Sequence, residues 1–254
     1  MLLSPLNIFK EGLIICKTNY KTFFKTIVWF LGAAVLLGLL NLLDRQTGFK
    51  YINYTFPIYL VLTAFSFVIG LWTQIILIRL INAGITKEAL DKSTLQQNAW
   101  RDTVPFLWVS ILTGLIILGG MILFVIPGFI FTIWYFFSLY IFSIEGTRGF
   151  AALQKSKDLV QGRFWTVVWR IILPNLFYGL MLAIIIGIPT LIIGYFTKFA
   201  EFNSTLSVGP WWFDSIQSLA TIITLPLSIA LSVILYKNLK EDTSTTPPTT
   251  TPTV

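Results

Sequence analysis

The feature that most constrains this chain is a series of six apolar stretches, each long enough to cross a lipid bilayer. A transmembrane α-helix needs about 20 apolar residues to span roughly 30 Å of hydrocarbon. Of the 254 residues, 56% are hydrophobic and 11% are charged, whereas about 25% are charged in a typical soluble domain. A soluble fold of this length would be unable to bury so much apolar surface. The sequence therefore predicts an all-α, polytopic membrane protein.

Residues 111–144 argue against a transmembrane β-barrel. They are predominantly apolar and lack the alternation of polar and apolar side chains that barrel strands show over about 10 residues. Between the third and fourth stretches, Pro127 is expected to end a helix and Gly128 to permit a tight reversal. The six transmembrane helices are predicted at residues 23–43, 56–82, 104–126, 129–144, 164–188 and 215–236.

A more polar segment with helical character precedes the first, third and fifth spans. These segments are residues 4–22, 84–102 and 148–163. Each is expected to form an amphipathic helix on the membrane surface. The chain then consists of three repeats of surface helix plus helical hairpin, at about 4–82, 84–145 and 148–240. Each hairpin returns the chain to its starting side, so the repeats are predicted to be parallel rather than inverted.

The distribution of Lys and Arg predicts the orientation in the membrane. Of 18 basic residues, only Arg45, Lys50 and Lys198 fall on one side, which leaves fifteen on the other. Because cytoplasmic segments carry the excess of positive charge, both termini are expected in the cytoplasm and the multi-pass protein in the cell (inner) membrane. Residues 1–242 form the predicted membrane domain, and the Thr- and Pro-rich residues 243–254 a disordered cytoplasmic tail.

The composition also narrows the chemistry. Cys16 is the single cysteine and histidine is absent, which removes an internal disulfide, a thiolate metal cluster and the commonest general base. No cofactor or metal is expected. An intramembrane enzyme is disfavoured because the sequence offers no paired carboxylates and no catalytic Cys–His arrangement. The net charge of +7 is explained by membrane orientation rather than by nucleic-acid binding.

One run of residues resembles a known family. The run FVIPGFIFTIWYFFSLYIFSIEGTRGFAALQKSKDLVQGRFWTVV contains an Ile-Pro-Gly turn, an aromatic span, a Glu-Gly exit, an Ala-Leu-x-x-Ser core and a Gly-Arg-x-Trp entry to the next span. It resembles the membrane domain attached to some bacterial glycerophosphoryl diester phosphodiesterases, and related six-span inner-membrane proteins. The resemblance implies a bacterial membrane module. It does not carry over phosphodiesterase chemistry, because the sequence shows no soluble barrel, histidine or cluster of acidic metal ligands.

Basic residues in and after the third surface segment are the candidate contacts for anionic phospholipid. Arg170 lies seven residues after Arg163, about 10 Å deeper along a helix axis. The alternative interpretation is that these side chains are cytoplasmic anchors that snorkel to the headgroups. The candidate residues are Lys155, Lys157, Arg163 and Arg170.

Other polar residues and glycines in the spans have structural interpretations. Glu145 is expected to pair with Arg148 or Arg79 rather than to relay protons. Polar residues expected to form interhelical hydrogen bonds, with a substrate path as the alternative, are Thr73, Gln74, Ser110, Thr113, Asn175 and Tyr178. Glycines expected to allow close helix contact are Gly32, Gly38, Gly114, Gly119, Gly120 and Gly187.

Two classes of function follow. The first is a non-catalytic membrane protein, held at the anionic leaflet by basic surface helices, that serves envelope organisation or anchors a membrane or cytoplasmic protein partner. The second is a transporter or lipid-handling protein that uses a cavity between the repeats. A water-filled cavity lined by polar residues would favour the second class, and a dry bundle with glycine contacts would favour the first.

Overall fold

The computed structural model describes residues 3–47, 50–88, 91–196 and 211–245. The regular secondary structure in these residues is helical. The helices are α1 (Pro5–Gln46), α2 (Ile52–Thr86), α3 (Lys92–Leu123), α4 (Val125–Tyr135), α5 (Ser138–Glu145), α6 (Phe150–Val160), α7 (Phe164–Phe196) and α8 (Trp211–Thr245). Six candidate membrane spans lie in α1, α2, α3, α4 with α5, α7 and α8. The predictions of an all-α fold and of six spans are confirmed.

Helix α8, the last in the chain, is the centre of the bundle. It contacts α1, α2 and α7, and 61% of its most apolar segment is buried, compared with none of the corresponding segment of α7. Its fully buried side chains meet those of α2, such as Ile75 and Ile78, in one continuous apolar core. Helix α7 therefore lies at the periphery, where most of its surface faces the surrounding lipid.

The first predicted surface helix, at 4–22, is wrong as a separate element. Residues 5–46 form the single helix α1. No proline or αL glycine interrupts the backbone between the amphipathic segment and the span, so the hydrogen-bond ladder continues. The segment also has protein partners, since Gly12 lies against Leu231 of α8 and the rings of Phe9 and Phe177 are 5.8 Å apart.

The second predicted surface helix, at 84–102, is wrong in the same way. Helix α2 ends at Thr86, Lys87 adopts a left-handed conformation, and α3 begins at Lys92 and continues through the span. Asp91 caps α3 by accepting hydrogen bonds from the backbone N–H groups of Ser93 and Thr94. Hydrogen bonds from the hydroxyls and N–H groups of Thr94 and Ser93 lower the pKa of Asp91 to about 2. The chain thus enters the third span directly from this cap.

The third amphipathic segment does form a separate helix, α6. Glycines with positive φ flank it: Gly146 (70°) and Gly149 (58°) before it and Gly162 (83°) after it. Gly162 interrupts the helical ladder between α6 and the span that follows it, whereas no left-handed residue lies between either of the first two segments and its span. Because only one of the three amphipathic segments is a separate helix, the predicted repeat arrangement is not confirmed. At the other end, α8 runs through Thr245, and residues 246–254 of the predicted tail lie outside the described residues.

The reversal between α3 and α4 lies at Phe124 rather than at Pro127 and Gly128. Phe124 is extended (φ −163°, ψ 152°), and α4 begins at the next residue. Pro127 lies in the first turn of α4, where a missing N–H is tolerated. A Cβ atom on Gly128 would lie 2.9 Å from both the Cα and the backbone N of Met121. The glycine therefore permits the close crossing of the two helices instead of forming the turn.

The predicted glycine contacts are confirmed at one position and wrong at most others. A Cβ atom on Gly120 would lie 2.6 Å from Cδ2 of Phe131 and 3.1 Å from the Cα of Gly128. Nothing lies within 4 Å of such an atom at the following predicted positions: Gly32, Gly114, Gly119 and Gly187. These four glycines therefore make no close contact with a neighbouring helix in the described part of the chain.

Candidate functional site

The charged side chains of the bundle gather at one end, here called the basic end, where α2 finishes and α6 and α7 begin. In the described part of the chain, ion pairs there join Arg79 to Asp102 and Arg163 to Asp242, and a third group surrounds Glu145. These pairs link α2 to α3, α5 to α6 and α8, and the connection between α6 and α7 to α8. The basic end is therefore held together by charge as well as by apolar packing.

Glu145, the last residue of α5, accepts hydrogen bonds from three directions. Lys155 of α6 donates to Oε2 at 2.8 Å, Lys240 of α8 donates to Oε1 at 2.6 Å, and the Tyr236 hydroxyl donates to Oε1 at 2.5 Å. Lys155 also donates to the hydroxyl of Thr147. The Glu145 side chain is 19% exposed, whereas Lys155 and Lys240 are 53% and 57% exposed. Two half-exposed cations thus converge on one nearly buried carboxylate.

A cleft of about 430 Å³, here called the Glu145 cleft, opens beside this carboxylate. Its lining combines a larger apolar surface with charged side chains, which suits a ligand with a polar head and an apolar body. The residues that line it are Ile141, Glu145, Lys155, Asp158, Leu159, Tyr236, Lys240 and Thr243.

The predicted partners of Glu145 are wrong. Arg79 Nη2 lies 2.5 Å from Asp102 Oδ2, and Arg148 Nη2 lies 3.3 Å from Asp102 Oδ1. Arg79 also donates from Nε to the carbonyl of Ser143 at 3.0 Å. Asp102, which the sequence analysis did not single out, therefore takes both arginines. The two arginines pair with the carboxylate of Asp102, on α3, instead of with that of Glu145.

Ser156, the serine of the Ala-Leu-x-x-Ser motif, bridges a break in the fourth span. Helix α4 ends at Tyr135 and α5 begins at Ser138, so the helical ladder is interrupted between them. Ser156 is fully buried. Its hydroxyl donates to the carbonyl of Trp134 at 2.7 Å and accepts from the N–H of Phe137 at 3.1 Å. A side chain from α6 thereby satisfies two backbone groups that the broken helix leaves open.

The structure does not bring the four predicted lipid-contact residues into one site. Lys155 lies at the Glu145 cleft, while the ammonium of Lys157 lies 4.8 Å from the centre of the Trp134 ring. Arg163 pairs with Asp242 and donates to the carbonyl of Leu239 at 3.0 Å.

Arg170 is tied to the start of the chain. Its Nε donates to the carbonyl of Leu3 at 3.1 Å, and its Nη1 donates to the carbonyl of Thr166 at 3.2 Å. Leu3 in turn donates its N–H to the side chain of Asn238 at 2.9 Å. Arg170 thus connects α7 to the N-terminus beside α8, which is a structural role for one of the predicted lipid contacts.

The polar residues inside the spans have varied partners. The hydroxyls of Tyr178 and Thr224 lie 3.1 Å apart and join α7 to α8, as predicted for interhelical hydrogen bonds. Ser110 and Asn175 instead bond to carbonyls of their own helices. The core around α2 and α8 is mostly apolar, with Thr73 and Ser232 buried within it. Among the described residues, the predicted hydrogen bonds are wrong for Thr73 and Thr113, whose buried hydroxyls have no partner.

Sequence reasoning missed three contributors to the basic end: Asp102, Tyr236 and Lys240. Tyr236 was placed only as the last residue of the sixth span, and nothing in its sequence surroundings indicates a carboxylate partner 91 residues away. The sequence did point to Ser156, because this residue lies in the motif that supported the family resemblance.

The described residues contain no group of three or more His, Cys, Asp or Glu side chains placed to hold a metal ion.

Comparison with known proteins shows which family the chain is similar to. A family model described as the membrane domain of glycerophosphoryl diester phosphodiesterase matches residues 103–253. The match covers 151 of the 254 residues (253 − 103 + 1), and it includes Ser156, the Glu145 cleft and the broken fourth span. No curated protein and no solved structure matches the chain. The chain belongs to the family of membrane domains of glycerophosphoryl diester phosphodiesterases.

Proposed function

We propose that this protein is a non-catalytic membrane module that binds acidic phospholipid headgroups at the Glu145 cleft and so provides a membrane anchor for an envelope partner. The family match supports this proposal, because it is to the membrane domain and not to the catalytic domain. Most of the buried side chains of α2 and α8 are apolar, which supports a scaffold rather than a transport path.

The observation that carries the proposal is the arrangement of Lys155 and Lys240. Both ammonium groups contact Glu145, yet both side chains remain more than half exposed. Each therefore has donor capacity left for a second anion at the mouth of the cleft. A phospholipid would place its phosphate between the lysines and its chains along the apolar flank of the bundle.

Lipid retention by the purified protein tests the proposal. The double substitution Lys155→Gln and Lys240→Gln should weaken retention of phosphatidylglycerol about 30-fold, since each basic residue near an anionic surface contributes about 1 kcal/mol and about 1.4 kcal/mol is tenfold. Native mass spectrometry of protein with a titrated lipid measures this directly. High salt should imitate the variant, because surface attraction is screened beyond about 8 to 10 Å.

The matched control is Lys17→Gln with Lys21→Gln, which removes the same charge from exposed positions of α1. This control should retain lipid as the parent does. Arg163→Gln and Arg170→Gln should mainly lower thermal stability, since both guanidinium groups donate to backbone carbonyls. Equal retention in the cleft variant and the control would reject the cleft as the lipid site.

We further propose that the basic end faces the cytoplasm, as the distribution of basic residues indicates. In a Cys16→Ala background, a single cysteine at Thr47, near the opposite end, should react with a membrane-impermeant thiol reagent added to intact cells. A single cysteine at Thr94, which is exposed in the first turn of α3, should react only after the cells are opened. Labelling of the Thr94 position from outside would reverse the orientation.

A further inference from the structure

The connection between α3 and α4 has no hydrophilic residue. The sequence carries no charged side chain from 103 to 144, and the 18 residues between Thr113 and Thr132 (132 − 113 − 1) include no hydroxyl, amide or charged side chain. Residues 121–126, here called the hairpin tip, form the reversal. We propose that the hairpin tip ends at the far edge of the hydrocarbon, contacting lipid chains, and forms no loop in water.

The side chains of the hairpin tip have few partners among the described residues. The exposed fractions are 85% for Ile122, 74% for Phe124, 81% for Val125 and 73% for Ile126. Four large apolar side chains exposed together in water would be unfavourable, because apolar surface is more stable when it is removed from water. In lipid the same surface carries no such cost, so hydrocarbon is the environment that this surface fits.

The backbone of the reversal is also suited to hydrocarbon, where every unpaired polar group is costly. The N–H of Phe124 donates to the carbonyl of Gly120 at 3.0 Å, and the N–H of Gly128 donates to the carbonyl of Phe124 at 3.3 Å. Pro127 has no N–H to satisfy. These two hydrogen bonds continue the pairing across the reversal, and the backbone groups that they leave are those of ordinary helix ends.

The length of α3 agrees with this placement. From Asp102, which is paired with Arg79 at the basic end, to Leu123 is 21 residues (123 − 102), or about 32 Å at about 1.5 Å per residue. The hydrocarbon of a bilayer is roughly 30 Å thick, and transmembrane helices tilt by about 20° on average. The hairpin tip thus reaches the far edge of the hydrocarbon without passing beyond it.

The α1–α2 connection differs from the hairpin tip in composition. Its sequence, DRQTGFKY at 44–51, is mostly polar or charged. Asp44 is buried there and accepts a hydrogen bond from the Thr55 hydroxyl at 2.9 Å. This connection has the composition of a loop that emerges into water, and it provides an internal reference for the hairpin tip.

Site-directed spin labelling distinguishes the two placements. In the Cys16→Ala background, nitroxide labels at Ile122→Cys and Ile126→Cys lie on either side of the reversal, and Thr47→Cys provides the reference. The proteins are reconstituted in phosphatidylcholine–phosphatidylglycerol vesicles, and the collision rates with oxygen and with a water-soluble nickel chelate are measured. Using two positions guards against one variant folding poorly, and both variants should elute in size-exclusion chromatography as the parent does.

We expect oxygen collisions to exceed nickel collisions several-fold at both hairpin-tip positions, because oxygen partitions into hydrocarbon. The reverse ratio is expected at Thr47. A nickel-dominated signal at Ile122 and Ile126 would place the hairpin tip in water and overturn the proposal. Low accessibility to both reagents would overturn it too, since that result means a protein surface covers the tip.

Discussion

Replacing Ser156 by alanine should lower the free energy of unfolding by about 2–4 kcal/mol, because two buried polar groups lose their partner and each costs about 1–3 kcal/mol when unsatisfied. These groups are the carbonyl of Trp134 and the N–H of Phe137, which meet the Ser156 hydroxyl where α4 and α5 separate. The measurement is thermal or denaturant unfolding of the purified protein in mild detergent.

Ser143→Ala is the matched control. Ser143 is also buried, but its hydroxyl donates only to the carbonyl of Leu139, one turn earlier in its own helix. Its loss should change stability by less than about 1 kcal/mol, since that carbonyl is already part of the helical ladder. Equal effects of the two substitutions would show that the Ser156 bridge adds nothing beyond the loss of one buried hydroxyl.

Gly128→Ala should destabilise the protein by about 1–3 kcal/mol, the usual range for overpacking. The new Cβ atom would lie 2.4 Å from Cγ of Met121 and 2.9 Å from its Cα. The side chain could rotate away, but the backbone contact requires α3 and α4 to separate. Because the two helices form one hairpin, the loss should appear in the midpoint of thermal unfolding.

Gly114→Ala provides the control with the opposite expected sign. Gly114 lies inside α3, and nothing lies within 4 Å of the position that its Cβ would take. Alanine in a helix interior is favoured over glycine by about 0.5–1 kcal/mol, so this variant should be neutral or slightly more stable. A stable Gly128→Ala protein would mean that the α3–α4 crossing is looser than the structure shows.

Many contacts of the candidate site could not be predicted from the sequence, because they join residues that are far apart in the chain. Glu145 was expected to form an ion pair, which it does, but its partners Lys155 and Lys240 come from two different helices. The sequence shows which residues are charged, but not which arginine or lysine lies close enough to pair with Glu145. The packing of α5, α6 and α8 sets those distances.

The sequence by itself determined the fold class and the spans, because the cost of exposing long apolar stretches to water is large and local. It also carried the family resemblance through the motif that contains Ser156. Only the tertiary structure decided whether an amphipathic segment leaves its span, through the left-handed glycines around α6. It likewise decided that Gly128 forms a helix crossing and that α8 lies at the centre, because these depend on which helix faces meet.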